Sequence, residues 1–216
     1  MPRVLVITPT YQESLNITEF LERARAAVPE ADILVVDDNS PDHTADIADA
    51  VAAELGRIEV LRRPAKAGLG NAYRAAFTIG LARGYDVLMQ IDADLSHDPA
   101  VIPELLAGLD AGADLTIGSR YVPGGSIPHW PWHRRALSKY GNRYTGFMLR
   151  TGVHDATAGF RAYRAETLRR IDYASTRSKG YGFQIETAYR VAKVGGRIVE
   201  VPIAFTDRVR RSEEHT

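Results

Sequence analysis

The chain has no cysteine among its 216 residues, which excludes disulfides, thiol nucleophiles and cysteine-ligated zinc or iron–sulfur centres. It has no surplus charge: 27 Lys and Arg balance 27 Asp and Glu, so nucleic acid held by bulk charge is not an expected partner. No apolar run approaches the roughly 18 to 20 residues that span a bilayer. The four apolar residues after Met1-Pro2-Arg3 are fewer than a signal peptide needs. One stretch lacks a whole class of side chain. Residues 115–154 hold Arg120, Arg134, Arg135, Lys139, Arg143 and Arg150 but no carboxylate, which suits an anionic ligand or an anionic surface.

What remains is an ordinary globular composition, 45% hydrophobic and 25% charged, at a length expected to form one domain, 1–216. Its acids are concentrated early: residues 1–60 carry twelve carboxylates against four cations, a bias that suits metal binding. Short apolar, β-branched runs at 4–8, 33–36, 58–61, 87–91 and 115–117 read as buried strands. Between them, 14–28, 42–55, 68–83 and 99–109 have helical spacing. Leu15, Ile17, Phe20, Leu21, Ala24 and Val28 are expected to face inward from the first, and Ala72, Ala75, Ala76, Ile79 and Ala82 from the third. Strands alternating with helices imply right-handed βαβ units. The expected fold class is α/β, a Rossmann-like, mostly parallel sheet flanked by helices, with an elaborated second half.

Ligands of such sheets bind outside the carboxyl ends of the strands. Three of those ends carry acids: Glu13 after the first strand, Asp37 and Asp38 after the second, Asp92 and Asp94 after the fourth. Asp37, Asp38, Asp92 and Asp94 directly follow apolar residues, where uncompensated carboxylates repel one another, so a bound cation is expected. Oxygen-only donors at a partly open site suit Mg²⁺ or Mn²⁺ completed by water and substrate phosphates. If the fourth strand persists, Asp92 and Asp94 point to the same side and converge; a bend after Asp92 would divide their roles.

Taken in order, Thr8-Pro9-Thr10-Tyr11-x-Glu13, Val35-Val36-Asp37-Asp38-Asn39-Ser40-Pro41-Asp42-x-Thr44, Gly68-Leu69-Gly70-x-Ala72, Asp92-Ala93-Asp94-Leu95-Ser96-His97 and Gly118-Ser119-Arg120-Tyr121 resemble family-2 glycosyltransferases of the GT-A fold. With Trp132-x-Arg134-x-x-x-Ser138, Asp155-x-Thr157-x-Gly159-Phe160-Arg161 and Gly182-Phe183-Gln184-x-Glu186, the chain is most similar to the dolichol- and polyprenol-phosphate mannosyltransferases. The resemblance implies inverting transfer of mannose from GDP-mannose to a polyprenyl phosphate. It implies that Pro9, Tyr11 and Glu13 contact the nucleotide, and that Val36 and Asp38 line the base and ribose pocket. Asp92, Ala93 and Asp94 would hold the diphosphate through the metal, with Asp92 and Asp94 as ligands and Ser96 as a further candidate. Asp94 and Arg120 are the candidate catalytic residues, Arg120 facing the reacting phosphates. Arg134 and Ser138 would hold the acceptor phosphate, and Arg208 matches a C-terminal arginine that closes over the donor. After Arg208 the chain departs from the family pattern, with Glu214 where a lysine falls. Two alternatives stay open: a UDP-glucose-dependent enzyme of the same class, and a non-catalytic nucleotide-sugar binding module.

The acceptor is already anionic at pH 7 and needs orientation rather than deprotonation, so no general base is required; Asp155 reads more simply as a turn cap. From about Trp132 a helix would interleave Arg and Lys with Trp132, Tyr140 and Tyr144, the mixture found at lipid–water interfaces. That places the chain at the cytoplasmic face of a membrane as a peripheral protein, with a separate membrane-anchoring partner conceivable. Lys66 is within reach of the nucleotide, residues 183–194 read as a helix with Glu186 facing either core or donor, and residues 1–120 and 121–216 divide into a nucleotide-sugar half and an acceptor half.

Overall fold

The computed structural model describes residues 2–207. Its strands are β1 (Val4–Thr10), β2 (Asp32–Asp37), β3 (Ile58–Arg62), β4 (Val87–Gln90), β5 (Leu115–Ser119), β6 (Arg161–Arg164) and β7 (Ile198–Pro202). Its helices are α1 (Ile17–Ala27), α2 (Thr44–Leu55), α3 (Leu69–Ala82), α4 (Ile102–Asp110), α5 (Trp132–Met148), α6 (Ala165–Arg170) and α7 (Tyr181–Lys193). All seven strands join one sheet in the order β3-β2-β1-β4-β6-β5-β7. β1 pairs in parallel with β2 and β4, and β2 with β3. The Val, Ile and Leu runs of β1, β2 and β4 are largely buried on both faces, as a helix-covered parallel sheet requires, whereas those of the edge strand β3 are half-buried.

β6 runs antiparallel between β4 and β5. Its sequence, Arg-Ala-Tyr-Arg, carries no strand signal. Arg161 is nevertheless fully buried, because its guanidinium donates to the carbonyls of Ala156 (2.7 Å), Ala158 (2.8 Å) and Gln184 (2.7 Å). Three carbonyl acceptors satisfy a charge that would otherwise be expelled from the core.

Helices cover both faces. On one, Tyr73 and Phe77 of α3 meet Phe183 of α7 and Tyr163 of β6, with ring centroids 5.8–6.1 Å apart. Truncating a ring such as Phe77 costs about 3–5 kcal/mol. On the other face, Phe20 and Leu21 of α1 and Leu105 and Leu109 of α4 pack on Val6, Val35 and Met89.

Two helical faces differ from the spacing expectation. α3 turns Tyr73 and Phe77 inward and leaves Ala82 exposed, because the aromatic rings bury more apolar area than alanines do. Leu15 is exposed and precedes α1.

The directions of β1, β2, β4 and β5 bring their carboxyl ends to one sheet edge, and the 155–160 loop enters β6 there. The chemistry collects along that edge.

Candidate active site

β4 ends at Gln90, two residues before Asp92. The strand therefore does not carry Asp92 and Asp94: the chain turns over Ala93 and Asp94, with Leu95 just beyond at φ 59°. Asp92 accepts a hydrogen bond from the Tyr73 hydroxyl at 3.4 Å. A Cβ on Gly159 would stand 3.3 Å from its Oδ2, so only glycine leaves Asp92 this position without a shift. Asp94 accepts from the backbone N–H of Ser96 at 3.0 Å. Both carboxylates still line one cavity of about 590 Å³. The Ala93 side chain is packed in the core, so only its backbone is free to serve a ligand.

His97 joins that wall, packed between Phe160 and Phe205 at 5.5 and 5.2 Å. Burial above all, helped by the charge of Arg120, lowers its pKa to about 4 against the pull of Asp94, so the ring is neutral at pH 7. Its Nδ1 has no hydrogen-bond partner among the described residues.

The facing wall is cationic and aromatic. Arg120 leaves β5 and forks onto Asp155, Nε to Oδ2 and Nη2 to Oδ1, both at 2.7 Å, with Nη2 also reaching Thr157 Oγ1 at 2.9 Å. Burial opposes the Arg120 charge, but the Asp155 hydrogen bonds and charge outweigh it and raise the pKa. Rings of Phe205, Tyr121 and Trp130 stand 5.3–5.8 Å from the guanidinium carbon. Nη1 makes no hydrogen bond among the described residues and remains for a ligand. Asp155 is itself fixed from β7, where Glu200 accepts the N–H groups of His154 and Asp155 at 2.8 and 2.9 Å.

Arg134 and Ser138 lie one turn apart on α5 and both line the cavity. Ser138 Oγ accepts from the Tyr121 hydroxyl at 2.6 Å. Arg134 lies 3.8 Å over the Trp130 ring and pairs with Asp207 at 3.4 Å. α5 seats itself through a small, polar face. Asn142 exchanges hydrogen bonds with Thr157, and Gly146 sits so close that a Cβ would meet the Val153 carbonyl at 2.6 Å. Its opposite face leaves Trp132, Leu137, Tyr140, Tyr144, Phe147 and Met148 exposed by 56–78%. The helix begins at Trp132 as expected, and its apolar side faces outward.

The other expected donor residues lie along the neighbouring strand ends, outside the lining of this cavity. Pro9 and Val36 are paired in register. The Tyr11 ring lies 3.7 Å from Lys66 Nζ. Asp38 pairs with Arg63 at 2.6 Å and accepts from Ala67 N–H at 3.2 Å. Glu13 is buried, accepting from Asn16 Nδ2 at 2.8 Å while its carbonyl receives the first N–H groups of α1. Asp37 is tied to Thr10 and Ser40. The expected convergence of four acids on one cation is thus corrected: Asp37 and Asp38 are held by Thr10, Ser40 and Arg63 and do not line the cavity, whereas Asp92 and Asp94 do. Glu186 accepts the N–H groups of Arg177 and Ser178, pairs with Arg190 at 2.7 Å, and is not among the residues that line the cavity. Arg208 lies outside the described residues, as do Arg210, Arg211 and Glu214.

Sequence reading missed Tyr73 as the support of Asp92, Asp155 as the partner of Arg120, and Asp207. Asp155 and Thr157 stood in a recognised motif, but nothing local to either residue signals a partner 35 positions away.

The sequence model of glycosyl transferase family 2 matches residues 5–172. The chain belongs to glycosyl transferase family 2. This family 2 glycosyltransferase is 53% identical over 207 residues to the polyprenol monophosphomannose synthase of Mycolicibacterium smegmatis, covering 95% of the chain and 78% of that protein. It is 54% identical over 206 residues to the undecaprenyl-phosphate mannosyltransferase of Micrococcus luteus, covering 95% and 84%. Among solved structures it is similar to glucosyl-3-phosphoglycerate synthase from Mycobacterium tuberculosis in complex with Mn²⁺, UDP and glucosyl-3-phosphoglycerate. The TM-score is 0.71 at 19% identity, covering 99% of this chain and 73% of the other. That likeness identifies the GT-A fold for this glycosyltransferase.

Proposed function

We propose that this glycosyltransferase transfers mannose from GDP-mannose to a polyprenyl phosphate with inversion at the anomeric carbon, its residues 1–120 serving the donor and 121–216 the acceptor. The observation that carries the reading is a single cavity in which the Asp92 and Asp94 wall faces the Arg120, Arg134 and Ser138 wall. The names of the two bacterial relatives support both the sugar and the lipid phosphate.

Asp92 and Asp94 are hard oxygen donors in one cavity and fit Mg²⁺ or Mn²⁺, which takes one or two carboxylates and fills its other positions with water and phosphate oxygens. Among the described residues no group of three His, Cys, Asp or Glu is disposed to hold a metal. When bound, such an ion offsets the charge that grows on the departing diphosphate. Arg120 adds its unengaged Nη1 toward the same phosphates. Pro9, Tyr11, Glu13, Val36, Asp38 and the Ala93 backbone form the nucleotide side, and the family resemblance adds Arg208, outside the described residues, to the donor set.

Arg134 and Ser138 orient the acceptor phosphate. Because Tyr121 donates to Ser138 Oγ, the Ser138 proton is left to point at the phosphate. The acceptor oxygen forms its bond to the anomeric carbon as the bond to the diphosphate breaks, and the electron pair leaves with GDP. No proton moves, so no base is needed; Asp155, fully buried with both oxygens in the Arg120 fork, is not one.

No helix among the described residues is long and apolar enough to cross a membrane. The exposed aromatic and aliphatic side of α5, set among arginines and without a carboxylate, supports peripheral attachment to the cytoplasmic membrane face. The test is transfer with GDP-mannose, Mn²⁺ and farnesyl phosphate. Farnesyl mannosyl phosphate and GDP are the expected products; turnover with UDP-glucose alone, or donor binding without any transfer, contradicts the reading.

A further inference from the structure

The segment following β7 crosses the mouth of the cavity on backbone hydrogen bonds. Ile203 N–H donates to the Ser119 carbonyl at 3.0 Å, Phe205 N–H to Ser126 at 2.9 Å, and Thr206 N–H to Ser96 at 3.1 Å. The strap thus ties the 119–126 segment that follows β5 to the acidic loop. Asp207 comes next, and its carboxylate is delivered to the acceptor wall. Oδ1 accepts from Trp130 Nε1 at 2.8 Å, and Oδ2 from Arg134 Nη1 at 3.4 Å.

We propose that Asp207 is a resident stand-in for the acceptor phosphate, holding Arg134 until a phosphomonoester displaces it and reclaiming Arg134 after transfer. This rests on the reading of Arg134 and Ser138 as the acceptor-phosphate holders. Carboxylate and phosphate oxygens compete for the same guanidinium donors. The pair suits exchange: both side chains are about half exposed, at 52% and 47%, and ion pairs of that kind are weak. Asp207 makes no hydrogen bond to Ser138 among the described residues, whereas a phosphate on Arg134 can also reach that hydroxyl one turn along α5.

Charge gives the exchange a direction. The acceptor is a phosphomonoester carrying about −1.5 to −2 near pH 7, and it becomes a phosphodiester with a single negative charge on transfer. A tethered competitor weakens every anion by the same factor. The monoester, with more charge and more acceptor oxygens, still binds, while the singly charged product is driven off. Asp207 is therefore a positioning residue for acceptor entry and product exit.

The test uses Trp130 as reporter in a Trp132→Phe background, since the chain has two tryptophans. Farnesyl phosphate and its methyl diester are titrated against that protein and against its Asp207→Asn and Arg134→Ala variants. Asparagine keeps an oxygen for the Trp130 N–H and removes the charge and the acceptor that face Arg134. The expected result is that Asp207→Asn binds both ligands about two- to five-fold more tightly, that acceptor KM falls and product inhibition strengthens, and that Arg134→Ala binds neither. Unchanged or weaker binding by Asp207→Asn, with Arg134→Ala still defective, overturns the stand-in role and leaves the acceptor site intact. Full binding by Arg134→Ala overturns the acceptor reading and the proposal with it.

Discussion

Arg120 and Asp155 lie 35 positions apart in sequence and meet in a two-pronged ion pair, Nε on Oδ2 and Nη2 on Oδ1, each at 2.7 Å. Asp155 is fully buried and the Arg120 side chain nearly so. Removing one partner leaves a buried charge alone, which costs about 3–5 kcal/mol. Asp155→Ala is expected to lower Tm by about 10 °C, at about 2–4 °C per kcal/mol for a chain of this size. The double variant Arg120→Met/Asp155→Leu is expected to recover most of that loss by calorimetry while transferring no sugar. A double variant that remains fully active would remove Arg120 from the catalytic machinery.

Gly159 tests the placement of Asp92. A Cβ there stands 3.3 Å from Oδ2, so Gly159→Ala displaces the carboxylate by a few tenths of an ångström at small cost to the fold. The expectation is about ten-fold weaker metal-dependent donor binding with Tm changed by only about 2 °C, roughly 1 kcal/mol or less. Tyr73→Phe, which deletes the hydroxyl on Oδ1, is expected to act in the same direction. Binding calorimetry of donor with and without Mn²⁺ reads both.

Glu186 gives a pH-dependent stability contribution. Burial pushes its pKa up, but the N–H groups of Ser178 and Arg177 and the charge of Arg190 outweigh that and hold it below the usual 4.5. A depressed carboxylate stabilises the fold above its unfolded pKa and loses that contribution as pH falls through the folded value. Glu186→Gln is expected to cost about 2 kcal/mol at pH 7, shrinking toward zero in urea titrations at about pH 3. A cost that stays constant with pH would mean that shape, not charge, supports the 177–180 loop.

The first five strands and the helices between them were legible because buried parallel strands are continuous apolar runs and their helices keep a 3.6-residue period. β6 was not, since its buried arginine is satisfied by carbonyls that only the tertiary structure supplies. β7, Ile-Val-Glu-Val-Pro, spends its glutamate on holding His154 and Asp155. At the site, the Asp92–Asp94 grouping was readable from spacing and resemblance together, and the Arg134–Ser138 grouping from resemblance alone. Which acids face the cavity was not: Asp37 and Asp38 look equivalent to Asp92 and Asp94 in sequence, and only the folded chain, which seats Asp37 on Ser40 and Asp38 on Arg63 away from the cavity, separates them. On α5, the interleaving of Arg and Lys with Trp132, Tyr140 and Tyr144 marked an outward-facing side, and that side is exposed.

The account stands on Asp92 and Asp94 gripping a nucleotide diphosphate through a divalent ion. Its most direct test is calorimetric titration of GDP-mannose into the protein with Mn²⁺, with EDTA, and with Mn²⁺ in the Asp94→Ala variant. The predicted result is binding in the first case and at least about ten-fold weaker binding in the other two. Equal affinity in all three would contradict it.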